Sequence, residues 1–407
     1  MLSFRNWTGV GVVSLAAMAP FTAHANGFDR VMLPPALLFE EGNYLEFSFS
    51  YTRPDVEGTF DPSLTPPIPV APGTNFTLGP AGAQSTGNIA KSFTRLGAGI
   101  KFDYGENWSF AARSLQPYGQ NGTYSDGLTI APPLANIKSA ALRGKVEKIY
   151  AVSGLTVDLN INAIDFLARY KFSDEWSAFG GPRSQRLSSG AIGSPSGSGV
   201  YGWDDDTEVG FVLGAGYENQ ATYTQVMLTY TSAIDHQVEN KRIVPGNPAH
   251  SQAALTPGGA TISTPESFQL TVRQPLSPEW AVFGSARHAK WSDANIVNTF
   301  TGGTVDTVTT YPDVNNYSLG VGHAVSDKLA LSLTGLYQTG DEKSSLFAPR
   351  NDVRALSVGL QYQVNNNMRI RANYTHSWLD DAQPAFGTLN FDDSTAQSIA
   401  VQIGYSF

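Results

Sequence analysis

The 407-residue chain contains no cysteine. A disulfide-stapled extracellular scaffold is therefore excluded, and an exported chain of this size without thiols fits the Gram-negative envelope. Charge is sparse as well: Asp, Glu, Lys and Arg make up 15% of the residues, with a net charge of -9. An acidic balance of that kind speaks against nucleic acid as a partner. Beyond the N-terminal region, no run reaches the roughly 18 consecutive apolar residues of a membrane helix. The six histidines are scattered without H-x-x-H or carboxylate spacing for a metal, and no G-x-S-x-G element appears. We therefore expect no metal, no cofactor and no catalysis. A Ser/His site assembled only in space, as in barrel-embedded lipid hydrolases, stays open.

What is present begins with a leader-like N-terminus. Arg5 gives a short positive region, Val10 to Met18 is apolar, and Ala23-His24-Ala25 has the small-x-small form of a cleavage site. Residues 1–25 read as a secretory signal peptide, so the mature chain should start near Asn26. Residues 26–43 then form a short plug-like segment, and residues 44–407 the main domain.

The chain as a whole is rich in glycine and aromatics, with 40 Gly, 22 Phe, 17 Tyr and 7 Trp. Such composition suits a transmembrane β-barrel, whose apolar band is spread over alternate strand positions, but it also allows a secreted sandwich or propeller. Periodicity decides. Over Ala396 to Phe407, Ile399, Val401, Ile403, Tyr405 and Phe407 share one face, while Ser398, Gln402 and Ser406 share the other. Leu45, Phe47, Phe49 and Tyr51 alternate with Glu46, Ser48 and Ser50, and Leu356, Val358, Leu360 and Tyr362 with Ser357, Gly359 and Gln361. The terminal Phe407, with Tyr405, resembles the signal by which outer-membrane barrels are inserted. It implies the barrel-insertion machinery as a partner, beside outer-membrane lipid and lipopolysaccharide.

Connections fall into two alternating classes. Short polar turns occur at Gly105-Glu106-Asn107, Ser173-Asp174-Glu175, Asn219-Gln220, Ser277-Pro278-Glu279, Ser326-Asp327-Lys328 and Asn365-Asn366-Asn367. Long Gly/Pro/Ser-rich segments separate them, near 52–88, 119–148, 188–206, 235–265, 292–314, 338–354 and 379–395. The pattern predicts an all-β, antiparallel up-and-down barrel of about fourteen strands, with tight periplasmic turns, long extracellular loops and both termini periplasmic. Trp108, Trp176 and Trp280 follow short turns, where the inner aromatic girdle belongs; Trp291 and Trp378 are assigned to the outer girdle. In segment 155–172 the apolar phase shifts, which predicts a β-bulge near Asn162-Ala163.

Several tags, in order, resemble the FadL family of outer-membrane transporters. They are Pro35-Ala36-Leu37, Tyr51-Thr52-Arg53-Pro54-Asp55-Val56, Trp108-Ser109-Phe110 through Pro117-Tyr118-Gly119, Ala168-Arg169-Tyr170-Lys171-Phe172 and Leu228-Thr229-Tyr230-Thr231-Ser232. Thr264-Pro265-Glu266-Ser267, Lys290-Trp291-Ser292 and Ala348-Pro349-Arg350 continue the series. The resemblance implies energy-independent passage of long-chain fatty acids or, in some branches, aromatic hydrocarbons. Substrate would be captured among outer loops, enter a lumen site and leave sideways near the third strand. The family's N-terminal plug runs to roughly forty residues by that resemblance, whereas here it is shortened to Asn26–Leu38, which puts plug-shift gating in doubt.

For lateral exit the wall ladder must be broken, and Pro117 and Gly119 are placed to do so; a strand simply ending in its loop would look the same. Pro182 in the fifth strand is a second irregularity. Alternation puts Arg95, Lys101, Arg113, Arg169, Lys171, Arg183, Arg273, Arg369 and Arg371 mostly on the lumen face, with Asp103, Asp158, Asp165 and Glu208. The cationic excess suits an anionic headgroup. Arg113, Arg183 and Arg287 are the candidates for that contact, with lumen ion pairs as the alternative; Arg287 shares phase with Phe283 and Trp291, so its facing is ambiguous. Leu128, Ile130, Leu134, Ile137, Ile243, Val244, Leu255 and Ile262 offer either a capture groove or loops packed over the mouth. A general porin for polar solutes and a non-transporting structural barrel are the competing classes.

Overall fold

The computed structural model describes residues 28–30, 34–79, 82–340, 345–349, 351–384 and 387–407. The signal peptide expected over 1–25 lies outside them. Fourteen antiparallel strands close on themselves. They are β1 (Tyr44–Asp55), β2 (Phe93–Tyr104), β3 (Trp108–Thr123), β4 (Thr156–Lys171) and β5 (Trp176–Leu187). Next come β6 (Asp206–Asn219), β7 (Thr224–Thr231), β8 (Ser267–Pro275), β9 (Trp280–Ala289) and β10 (Val314–Ala324). The series ends with β11 (Leu329–Gln338), β12 (Val353–Gln363), β13 (Met368–Leu379) and β14 (Thr395–Ser406). Closure is made by β1 against β14, in register from Tyr44 opposite Ser406 to Asp55 opposite Thr395. All six predicted tight turns and all seven long connections fall where the sequence places them.

The alternation is that of a barrel in lipid. On β1, Phe47, Phe49 and Tyr51 point outward and are exposed, while Ser50 and Thr52 are buried inside. Trp108, Trp176, Trp280 and Trp378 all lie on the outer surface. Tyr405 and Phe407 stack outside at 6.4 Å, and Phe407 meets Phe102 edge-on at 5.9 Å. Outward apolar side chains on every strand gain nothing in water, but bury completely in hydrocarbon. Leu319, midway along β10 and 72% exposed, tests this. Leu319→Arg is expected to lower stability in a lipid bilayer by about 2–4 kcal/mol, read from the urea midpoint of folding into vesicles. A loss no larger than about 0.5 kcal/mol, that of an ordinary surface change, would mean that the face does not meet hydrocarbon.

Two strands are much longer than a bilayer needs. β3 and β4 each have 16 residues, where about 9–11 tilted residues suffice. Their upper ends stand above the membrane, and there the polarity of the faces inverts. Val157, Leu159 and Ile161 are buried inward, while Asp158 points out. The bulge predicted at Asn162-Ala163 is therefore absent: β4 keeps one register against β5 from Ile161 to Lys171. What changes along β4 is the solvent on each side, and an inversion of that kind mimics a phase slip. The bulge is on the neighbouring strand, between Leu115 and Tyr118 of β3.

Above the barrel the loops form an apolar core of their own. A helix, α1 (Ala140–Tyr150), is capped by the Ser139 hydroxyl accepting from the Leu142 N–H at 3.3 Å, and buries Val146 and Ile149. Leu128, Leu134, Ile137 and Ile262 join it, so most of the loop residues considered for a groove are packed together; Ile243 and Val244 stay exposed. Tyr150 of this cap has its hydroxyl pushed up to about 12 by burial, which keeps it a donor, here to the Pro132 carbonyl. Trp291, assigned above to the outer girdle, is instead fully buried inside. It lies past the end of β9 in a 3-10 turn, Trp291–Asp293, so strand parity does not set its direction.

Candidate functional site: a break in the wall closed by the N-terminal segment

The wall is not zipped throughout. From Phe93 to Gly97, β2 pairs with β1 but has no β3 partner among the described residues; β2–β3 pairing runs only from Ala98 opposite Ser114 to Tyr104 opposite Trp108. Above the gap the two sides meet again, through the Ala90–Gly122 bridge and the Thr123 N–H donating to the Ile89 carbonyl at 2.9 Å. Proline has no N–H and β3 bulges at Gln116-Pro117, so the ladder cannot continue there.

The chain's own N-terminal residues fill the interval. Gly119 donates its N–H to the Phe28 carbonyl at 2.8 Å, and Arg30 donates to the Pro117 carbonyl at 2.7 Å, with Asp29 opposite Tyr118. Strand-like alternation then sends Asp29 one way and Arg30 the other. Asp29 turns inward and accepts from Arg287 at 3.0 and 3.3 Å and from the Trp291 indole at 2.9 Å. Arg30 turns onto Gly119, Asn121 and Asn160, donating to both asparagines. A Cβ at Gly119 would stand 2.5 Å from the guanidinium carbon of Arg30. Phe28, Tyr118, Trp291 and Tyr311 pack edge to face around this point, with centroids 5.3–5.9 Å apart.

Below, residues 34–43 cross the lumen without regular strand pairing, so their carbonyls need donors from elsewhere. The barrel's basic residues supply them. Arg95 donates to the Arg30 carbonyl at 2.5 Å, Arg113 to Pro34 at 2.7 Å, and Arg169 to Leu38 at 3.2 Å. Lys101 donates to Glu40 at 2.8 Å and Gly42 at 2.9 Å. Gly99 gives the segment room, since a Cβ there would meet Leu37 at 2.7 Å. Glu40 is gripped by Arg369 and Arg371. Burial alone would raise its carboxyl, but the two guanidiniums outweigh that and hold it below the ordinary carboxylate range.

The predicted headgroup residues all face the lumen, which resolves the facing of Arg287, and all three are engaged. Arg113 and Arg183 share Asp165, which is wholly buried: Arg113 at 2.9 Å, Arg183 at 2.6 and 2.9 Å. Arg287 is bound to Asp29. A large part of the basic excess, read from sequence as suited to an anionic ligand, thus holds the N-terminal segment. Of the two gate candidates, Pro117 sits at the bulge and Gly119 is the docking point beside it. Pro182 interrupts the β4 ladder, whose pairing skips from Arg183 to Gly180, but it stays in register with Phe211 of β6. Sequence reasoning put Arg95 on the lumen face but missed its place beside the gap, and it missed the closing role of Phe28–Arg30. A charged Asp29-Arg30 pair in a charge-poor chain, just ahead of Pro34-Pro35, was the available signal.

At the gap lies a cavity of about 110 Å3. Its inner lining includes Arg95, Arg113 and Ser50, and its outer lining Phe49, Leu96 and Leu115. Its lining thus combines lumen-facing polar residues with apolar residues of outward phase on β1, β2 and β3.

No curated protein sequence matches the chain. Among solved structures, it is similar to a Pseudomonas aeruginosa FadL homologue, with a TM-score of 0.70 at 15% identity, covering 97% of this chain and 98% of that one. It is also similar to the Pseudomonas putida toluene transporter TodX, with a TM-score of 0.57 at 13% identity and 98% of both chains covered. The CymD monoaromatic hydrocarbon channel aligns over 99% of this chain and 98% of its own at 14% identity, with a TM-score of 0.56. These likenesses concern the fold. The family model for outer membrane transport proteins of the OMPP1/FadL/TodX type matches residues 16–407. With the closed fourteen-stranded barrel, that match places the chain in the outer membrane as a member of the OMPP1/FadL/TodX transport family.

Proposed function

We propose that the protein passively carries hydrophobic small molecules, long-chain fatty acids foremost, and releases them sideways between β2 and β3. The observation that carries this reading is the unzipped stretch Phe93–Gly97, with a cavity lined by Arg95, Leu96 and Leu115 at the same place. An apolar solute leaving there enters hydrocarbon directly. Residues 26–43 act as a short plug, and Phe28–Arg30 is its closing element, seated on the gate residues Pro117 and Gly119. Moving it requires the loss of two main-chain hydrogen bonds, the Asp29 contacts and those of Arg30 with Asn121, Asn160 and Arg95, a change confined to a few residues, so a long plug is unnecessary. Arg113, Arg183 and Arg287 contact a carboxylate headgroup inside by exchanging it for Asp165 and Asp29. The structures of a FadL homologue and of the toluene transporter TodX support the cargo class, and the aromatic cluster around Phe28 keeps aromatic hydrocarbons as the second substrate. The test is uptake of labelled oleate and toluene into proteoliposomes, with single-channel conductance measured in parallel. Saturable uptake with low conductance is expected. No saturable uptake of either, together with large conductance, would make the protein a general porin.

A further inference from the structure

Most buried arginines of the lumen sit against a carboxylate, but two at the gap do not. Arg95 is 7% exposed, and its bonds go to the Ser50 hydroxyl at 3.0 Å and the Arg30 carbonyl at 2.5 Å. Arg30, 2% exposed, donates to two asparagine amides, and its Nε has no partner among the described residues. Among the described residues no carboxylate lies within ion-pair distance of either; Asp158, which accepts from Asn121 and Asn160, acts on Arg30 from beyond that distance, whereas the charged group that acts on Arg95 is Arg30, of the same sign. Both guanidiniums stack on one ring, Phe93, at 4.5 Å for Arg30 and 5.9 Å for Arg95. Buried charges are as a rule paired, and here two like charges flank one opening, Arg95 on its lumen side and Arg30 across the inserted segment. Arg95 also lines the cavity at the gap. The cavity's carboxylates lie at its other end. Glu40 is held by Arg369 and Arg371, and Glu46, which accepts from Gln402 at 2.6 Å, is four residues from Ser50, roughly 13 Å along β1.

We propose that Arg95, seconded by Arg30, is an anion site in the lateral cavity that makes passage selective for anionic amphiphiles over neutral molecules of the same apolar length. A carboxylate entering the cavity meets Arg95 in a desolvated place, where a charge-assisted hydrogen bond is strong. Because the Arg95 donor then engaged is the one that caps the Arg30 carbonyl, the same contact loosens the closing segment. The anion is both cargo and key, while a neutral molecule has only the apolar rim to bind.

This inference rests on the transport reading, and the two fail differently. The probes are laurate and its methyl ester, equal in chain and different in charge, with uptake measured in proteoliposomes. Wild-type protein is expected to prefer laurate. In Arg95→Gln, which loses a charge-assisted bond, laurate uptake should fall by about tenfold while methyl laurate stays within about twofold. Ser50→Asp keeps the arginine and puts a counter-ion beside its Nε, which now donates to the Ser50 hydroxyl at 3.0 Å, and should likewise erase the preference; it serves if Arg95→Gln does not fold. Uptake of neither probe by wild type would sink transport itself. Equal uptake of both by wild type, or an equal fall of both in the variants, would leave transport standing and overturn the anion site.

Discussion

Asp165→Ala is expected to destabilise the barrel by about 3–5 kcal/mol, since removing one member of a buried ion cluster strands its partners. Asp165 is fully buried and accepts three bonds from Arg113 and Arg183. Without it two guanidiniums face each other inside, and Arg113 still has to cap the Pro34 carbonyl. The urea midpoint of refolded protein measures the loss, and Asp165→Asn, which keeps an acceptor of the same shape, should lose less. A drop below about 1 kcal/mol would mean that lumen water screens the arginines as if they were at a surface. The variant also tests the headgroup residues. If Arg113 and Arg183 accept a substrate carboxylate, laurate should raise the midpoint of Asp165→Ala more than that of wild type. An equal rise removes both as headgroup contacts.

Asp29→Ala should unseat the closing segment. The Asp29 carboxylate ties the segment to Arg287 and Trp291, while its backbone neighbours hold β3 through two hydrogen bonds. Breaking this buried pair is worth about 3 kcal/mol or more, so the open population should rise roughly hundredfold. Amide hydrogen exchange at Gly119, whose N–H is bound to Phe28, reads that population directly, and uptake of laurate should rise with it. Unchanged protection at Gly119 would show that the two main-chain bonds and the aromatic cluster hold the segment without Asp29. Asp29→Asn keeps an acceptor for both donors and is expected to fall between.

The architecture was legible because a barrel wall in lipid imposes a period of two and a strict alternation of connection lengths. Phe47, Phe49 and Tyr51 against Ser48 and Ser50 can be sorted by eye once one face is known to meet hydrocarbon. The same rule misled where its premise lapsed. At Leu155 to Ile161 the strand has left the bilayer, apolar residues turn inward under the loop core, and alternation without a depth coordinate reads as a bulge. At Trp291 the strand has ended and parity no longer applies. The charges were hardest. Alternation put Arg113 and Arg183 inside and left the facing of Arg287 ambiguous, and a lumen-facing arginine looks the same in sequence whether its partner is a ligand, an aspartate or a carbonyl.

By itself, then, the sequence determined the class of protein, the strand count, the direction of the turns and the ring of aromatics ending in Tyr405 and Phe407. Each of these follows from a local repeat read against a uniform solvent. Only the tertiary structure decided where the wall opens and what closes it. Those depend on contacts such as Asp29 with Arg287, 258 residues apart, and on β2 losing its partner because β3 bulges at Pro117. A hydrogen bond that fails to form leaves no mark on the periodicity of either strand, so the gap between β2 and β3 becomes visible only when both strands are in place.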